Sequence, residues 1–102
     1  MFCSRFPESA QHIEDAIGAG KPDTLTIDRD NAAARRLDSL RGIETKPGLD
    51  RDEYPPAMFQ EGGREASVRH ITAGDNRGAG ACIGAQCREL PNGTKVRIEV
   101  ID

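Results

Sequence analysis

The sequence predicts a small α+β domain, a three- or four-stranded antiparallel or mixed sheet with helices set beside it. Three observations predict it. The 102 residues suffice for a single domain, 1–102, and leave no room for a second. Some stretches space apolar residues three and four apart, while others alternate them with period two. These stretches interleave, in the order helix, strand, helix, loop, strand, helix, strand.

Pro7-Glu8-Ser9-Ala10 opens the first helix, whose inner face is Ile13, Ala16 and Ile17. Gly18 and Gly20 end it before Pro22. Thr24-Leu25-Thr26-Ile27 alternates as a short strand. Asp30 or Asn31 then caps a helix from Ala32 to Leu40, with Leu37 and Leu40 facing in and Arg35, Arg36 and Arg41 facing water. Gly42 stops it, and a loop rich in turn residues follows, from Lys46-Pro47-Gly48 through Asp50-Arg51-Asp52-Glu53-Tyr54-Pro55-Pro56. After the turn at Glu61-Gly62-Gly63, Ala66 to Thr72 alternates as a half-buried strand. Asp75 caps a helix from about Asn76 to Leu90, despite the poor helix propensity of Gly78, Gly80 and Gly84. Pro91-Asn92-Gly93 turns the chain into a closing strand on Val96, Ile98 and Val100.

Composition narrows the classes of function. With 36% hydrophobic and 4% aromatic residues, no Trp and a mean hydropathy of -0.60, the core is thin. Yet 17 acids stand against 14 bases, so the chain is not a one-sign disordered tail. No apolar run is long enough to span a membrane. Met1-Phe2-Cys3-Ser4-Arg5 lacks the apolar stretch of a signal peptide, which fits a domain excised from a longer chain. Eleven of the 14 bases are Arg, whose fork suits phosphate, although a GC-rich genome writes the same bias. The acidic excess lies wholly in residues 1–60, with 11 acids and 8 bases, against 6 and 6 afterwards. Such weak acidity argues against a tight DNA scaffold and permits an enzyme that releases its product. The three cysteines, Cys3, Cys82 and Cys87, have no zinc spacing and are read as free thiols.

Two clusters carry the chemistry. Asp50-Arg51-Asp52-Glu53 places three carboxylates and a guanidinium within four residues, a crowding that favours a shared Arg or metal. Its bland counterpart is a solvated acidic turn. Asp75-Asn76-Arg77-Gly78-Ala79-Gly80 adds metal-capable oxygens and an Arg at a helix start, where phosphate also binds. Its bland counterpart is an ordinary helix cap. Together they describe a phosphodiesterase site: oxygen ligands for a divalent cation, a group to orient water, and an Arg to meet phosphate charge.

These runs, with Glu61-Gly62-Gly63, Ala66-Ser67-Val68 and Pro91-Asn92-Gly93-Thr94, closely resemble the NucA/NucB family of small non-specific bacterial deoxyribonucleases. The likeness extends upstream through Pro7-Glu8, His12-Ile13, Asp15-Ala16-Ile17, Thr26-Ile27-Asp28-Arg29 and Arg35-Arg36. It implies a ββα-metal core, a catalytic hairpin followed by a helix, and a DNA endonuclease dependent on Mg²⁺ or Mn²⁺. On that resemblance Asp52 and Glu53 are the catalytic pair, either of them the main base. Glu53 falls where wider relatives carry a His. Asn76 and Glu53 hold the metal, Arg51 and Arg77 bind phosphate, and Asp50 and Asp75 support them.

The chain departs from the family at Ala85, where an amide or His is frequent, and at Tyr54 and Cys82, which occupy Trp positions. His70 replaces a strand Tyr and reads as a strand residue, and His12 as a packing or surface residue. Those losses sustain a rival reading, a catalytically inactive module that binds nucleic acid or protein. The resemblance also implies a bacterial protein, secreted or delivered into a target cell as a toxin tip, with DNA as substrate and an immunity protein as partner. Many secreted relatives carry a disulfide at positions that align with Leu25 and Phe59, both apolar here. The expectation is that these two meet in the core, and that the domain needs no oxidation and works in a reducing cytoplasm.

Overall fold

Proline has no N–H to lose at a helix start, and the first helix, α1 (Pro7–Gly18), begins on it. The computed structural model describes residues 6–100. After α1 come β1 (Thr24–Thr26), a 3₁₀ turn at Arg29–Asn31, α2 (Ala32–Leu40), β2 (Leu49–Tyr54), β3 (Ser67–Thr72), α3 (Ala73–Cys87) and β4 (Lys95–Arg97). The α+β class is as the sequence predicts. Its four strands pair as two antiparallel ribbons, β1 with β4 and β2 with β3, joined by an isolated bridge between Ile27 and Phe59. No described helix is long and apolar enough to cross a membrane.

The core lies where the ribbons and helices meet, and Ile13, Leu25, Ile27, Tyr54, Phe59, Ile83, Cys87 and Ile98 form it. Leu25 and Phe59 are both fully buried within this one cluster. Tyr54 donates from its hydroxyl to the Pro22 carbonyl at 2.8 Å, and burial pushes its phenol well above the ordinary range. The Glu61 carboxylate accepts from Thr26 N–H at 2.7 Å and from the Thr26 hydroxyl at 2.9 Å, fastening the Glu-Gly-Gly turn to β1. A Cβ on Gly62 would stand 2.6 Å from the Pro56 carbonyl oxygen, a backbone atom that cannot swing away. Gly62→Ala is therefore expected to cost about 1–3 kcal/mol, read as a lower urea midpoint with an unchanged slope. An unchanged midpoint would show that the turn relaxes freely.

Four sequence expectations are corrected. Asp50 to Tyr54 is a strand and not a loop, because its polar side chains find partners on three helices, as described below. The third helix starts at Ala73, ahead of Asp75. Asp75 caps α1 instead: its carboxylate accepts from Ser9 N–H at 2.9 Å and Glu8 N–H at 3.2 Å. Glu8 returns the contact by accepting from Thr72 N–H at 3.3 Å. On α2, Leu37 is 73% exposed while Arg35 turns inward, its guanidinium bonded to the Ala57 carbonyl at 2.8 Å and to Asp28. Finally, Cys82 is disulfide-bonded, while Cys87 is a buried cysteine outside any disulfide. Cys3 lies outside the described residues. That bond removes the argument that the domain contains no oxidised cysteine.

Candidate active site

Successive side chains of a strand leave on opposite faces, so the run from Asp50 to Glu53 divides its charges between two sides. Asp50 reaches α3 and Asp52 reaches α1, whereas Glu53 reaches α2 and Arg51 the loop after it. The Asp50 carboxylate accepts from Asn76 Nδ2 at 3.1 Å and from Arg77 Nε and an Arg77 terminal N–H at 3.0 and 3.3 Å. Those bonds, Asn76 first and Arg77 next, hold Asp50 below the usual carboxylate range. Asp52 Oδ2 lies 2.6 Å from His12 Nδ1, and His12 Nε2 lies 2.9 Å from Ser67 Oγ.

On the other side Glu53 Oε2 accepts from the Ser39 hydroxyl at 2.5 Å, and Oε1 stands 3.8 Å from Arg36 Nε. The Glu53 side chain is 9% exposed. Burial raises its pKa above the usual range, against the opposing pull of Ser39 and Arg36. A carboxyl group perturbed by burial beside a cleft is the sort of group that enzymes use for proton transfer. Arg51 donates to the Ile43 carbonyl at 2.9 Å and so holds the chain between α2 and β2.

The outer edge of β2 pairs with no other named strand, and a cleft of about 420 Å³ runs along it. Asp50, Arg51, Asp52, Glu53, Asn76 and Arg77 all line that cleft. Asp75 does not, because it is turned to α1. His70 is also absent from the lining, and its Nε2 meets the Glu44 carbonyl at 2.7 Å. Sequence reasoning missed Arg36, 68% exposed on the α2 wall, and Ser39 behind it. The adjacent pair Arg35-Arg36 was a signal, but only the fold shows that one turns inward and the other faces the cleft. It also read His12 as packing or surface, and a lone His on a helix carries no further signal.

The donor set suits a hard cation that takes few protein ligands. No cluster of three His, Cys, Asp or Glu side chains that could cage a metal occurs among the described residues. Asn76 gives its amide hydrogen to Asp50, which leaves Oδ1 accepting from none of them. Oxygen donors in small number match Mg²⁺, which keeps several of its waters.

The deoxyribonuclease NucA/NucB family profile matches residues 13–99, a span that holds β2, β3 and α3 entire. The chain belongs to the NucA/NucB family. A DNA-entry nuclease of Bacillus subtilis (strain 168) is 52% identical over 92 residues, covering 90% of this chain. The chain spans 63% of the length of that curated relative. Within that span β2 supplies the cleft's carboxylates, and α3 its amide and one guanidinium.

Proposed function

We propose that the chain is a metal-dependent, sequence-non-specific DNA endonuclease whose active site is the cleft along β2. The observation that carries this reading is the convergence of Asp52, Glu53, Asn76 and three guanidiniums, those of Arg36, Arg51 and Arg77, on one open cleft in a NucA/NucB domain. Asp52 Oδ1, the oxygen not taken by His12, orients the attacking water and accepts its proton. The new P–O bond forms as the bond to the 3′ oxygen breaks, leaving a 5′-phosphate and a 3′ oxygen that takes a proton from solvent to become the 3′-hydroxyl. Arg36 and Arg77, exposed on opposite walls, meet phosphates, and Arg51 has donors to spare beyond Ile43. A Mg²⁺ or Mn²⁺ held by Asn76 with Glu53 would supply positive charge to the phosphate oxygens. With Tyr54 the single aromatic side chain lining the cleft among the described residues, and that one buried, contact with the backbone is favoured over base readout. The Cys82 disulfide supports a secreted bacterial enzyme over one built for a reducing cytoplasm.

Plasmid nicking tests this reading against the inactive binding module. Cleavage is expected with Mg²⁺ or Mn²⁺, to stop in excess EDTA, and to fall steeply between low and moderate salt. Undiminished cutting in EDTA removes the metal. Binding without cutting under every condition favours the inactive module.

A further inference from the structure

We propose that His12 is a positioning residue for Asp52, an inference that rests on the nuclease reading above. His12 is 0% exposed on the inner face of α1, and both ring nitrogens are engaged. A carboxylate only accepts, so Nδ1–H donates to Asp52 Oδ2, and in the neutral ring Nε2 accepts the Ser67 hydroxyl hydrogen. Ser67 and Asp52 belong to the two paired strands, so one imidazole spans the hairpin and fixes the tautomer as it does so. Packing alone would be served by an apolar side chain, and a buried polar ring carries a desolvation cost that its two hydrogen bonds offset. What the ring adds is orientation. With Oδ2 committed to His12, the carboxylate plane is set, and Oδ1 is the oxygen left for the cleft, where Asp52 is 14% exposed. A carboxylate free to rotate would present that oxygen only part of the time, and misplacement of a reacting group lowers the rate without weakening binding.

Two substitutions separate this role from a structural one. The amide nitrogen of Asn stands near the place of Nδ1, and that of Gln near the place of Nε2. His12→Asn keeps a donor for Asp52 and is expected to retain kcat within about threefold. His12→Gln keeps only the Ser67 side and is expected to lower kcat by about 10-fold or more, with KM within about twofold. In the protein without DNA, the His12 Nδ1 proton is expected well downfield in the NMR spectrum, and to leave that position in Asp52→Ala. Equal losses in His12→Asn and His12→Gln that track their melting temperatures would reduce His12 to a structural residue. So would a parental kcat in His12→Gln. Should His12→Gln not fold, absence of the downfield proton from the parental spectrum overturns the inference, and its presence and loss in Asp52→Ala supports it. A parental protein that cuts no DNA overturns the nuclease reading and this inference with it. Cleavage lost in Asp52→Ala but intact in His12→Gln overturns the inference alone.

Discussion

Asn76→Ala is expected to cut plasmid DNA at least about 100-fold more slowly than the parental protein while remaining folded. Glu53→Ala is expected to match it. Asn76 is half-buried and makes one described side-chain bond, to Asp50, which keeps Arg77 as a partner when the amide is gone. The structural cost is then about 1 kcal/mol, too little to unfold a domain of ordinary stability. Glu53 is more deeply set, and its removal leaves Ser39 with the Arg36 carbonyl at 3.2 Å as an alternative acceptor. Circular dichroism establishes the fold, and a magnesium titration separates the roles. If Asn76 holds the cation, its variant needs more Mg²⁺ for half-maximal cleavage. Parental rates from folded Asn76→Ala would remove it from the metal site.

Phe59→Ala is expected to give the largest stability loss of any substitution discussed, about 3–5 kcal/mol. The ring is wholly buried, shares one cluster with Leu25, Ile27 and Tyr54, and bridges the two ribbons through its backbone pairing with Ile27. A chain with so few aromatic residues has little else to fill that space. Leu37→Ala, on the exposed face of α2, is expected to change stability by no more than about 0.5 kcal/mol. Urea unfolding of both variants checks the contrast. A Phe59→Ala loss below about 1 kcal/mol would mean that the cluster does not depend on the ring.

How much of this was legible depended on what each segment buries. The bounds of α2 follow from the alanines and Gly42, and the helix runs over Ala32–Leu40 as expected, but Asn31 makes no side-chain cap bond and gives its amide hydrogen to Asp28 instead. β3 runs over Ser67–Thr72 where a strand is expected, although its burial does not alternate and Ile71 is its one buried residue. β2 was not legible, because Asp50-Arg51-Asp52-Glu53 has no apolar alternation to detect. Its partners are an amide, an imidazole, a hydroxyl and guanidiniums from distant segments. The start of α3 was hidden by Asp75, which has the chemistry of an N-cap but serves the other helix. Among the candidate residues, the cluster at β2 and the pair Asn76-Arg77 were visible as motifs. Arg36 and His12 became visible only once the chain folded back on itself, across 40 residues in the case of His12 and Asp52.

Each carboxylate of β2 is held from a different helix: Asp50 from α3, Glu53 from α2, Asp52 from α1. The arrangement works as a conjunction, complete only when all three helices are docked at once. No subset of the elements, including the hairpin and its following helix alone, fixes more than part of the constellation. Loss of cleavage in denaturant should therefore coincide with global unfolding and show no partially competent stage. On the proposed nuclease reading the domain would report on its own cooperativity, since intact cleavage certifies that all of it has assembled.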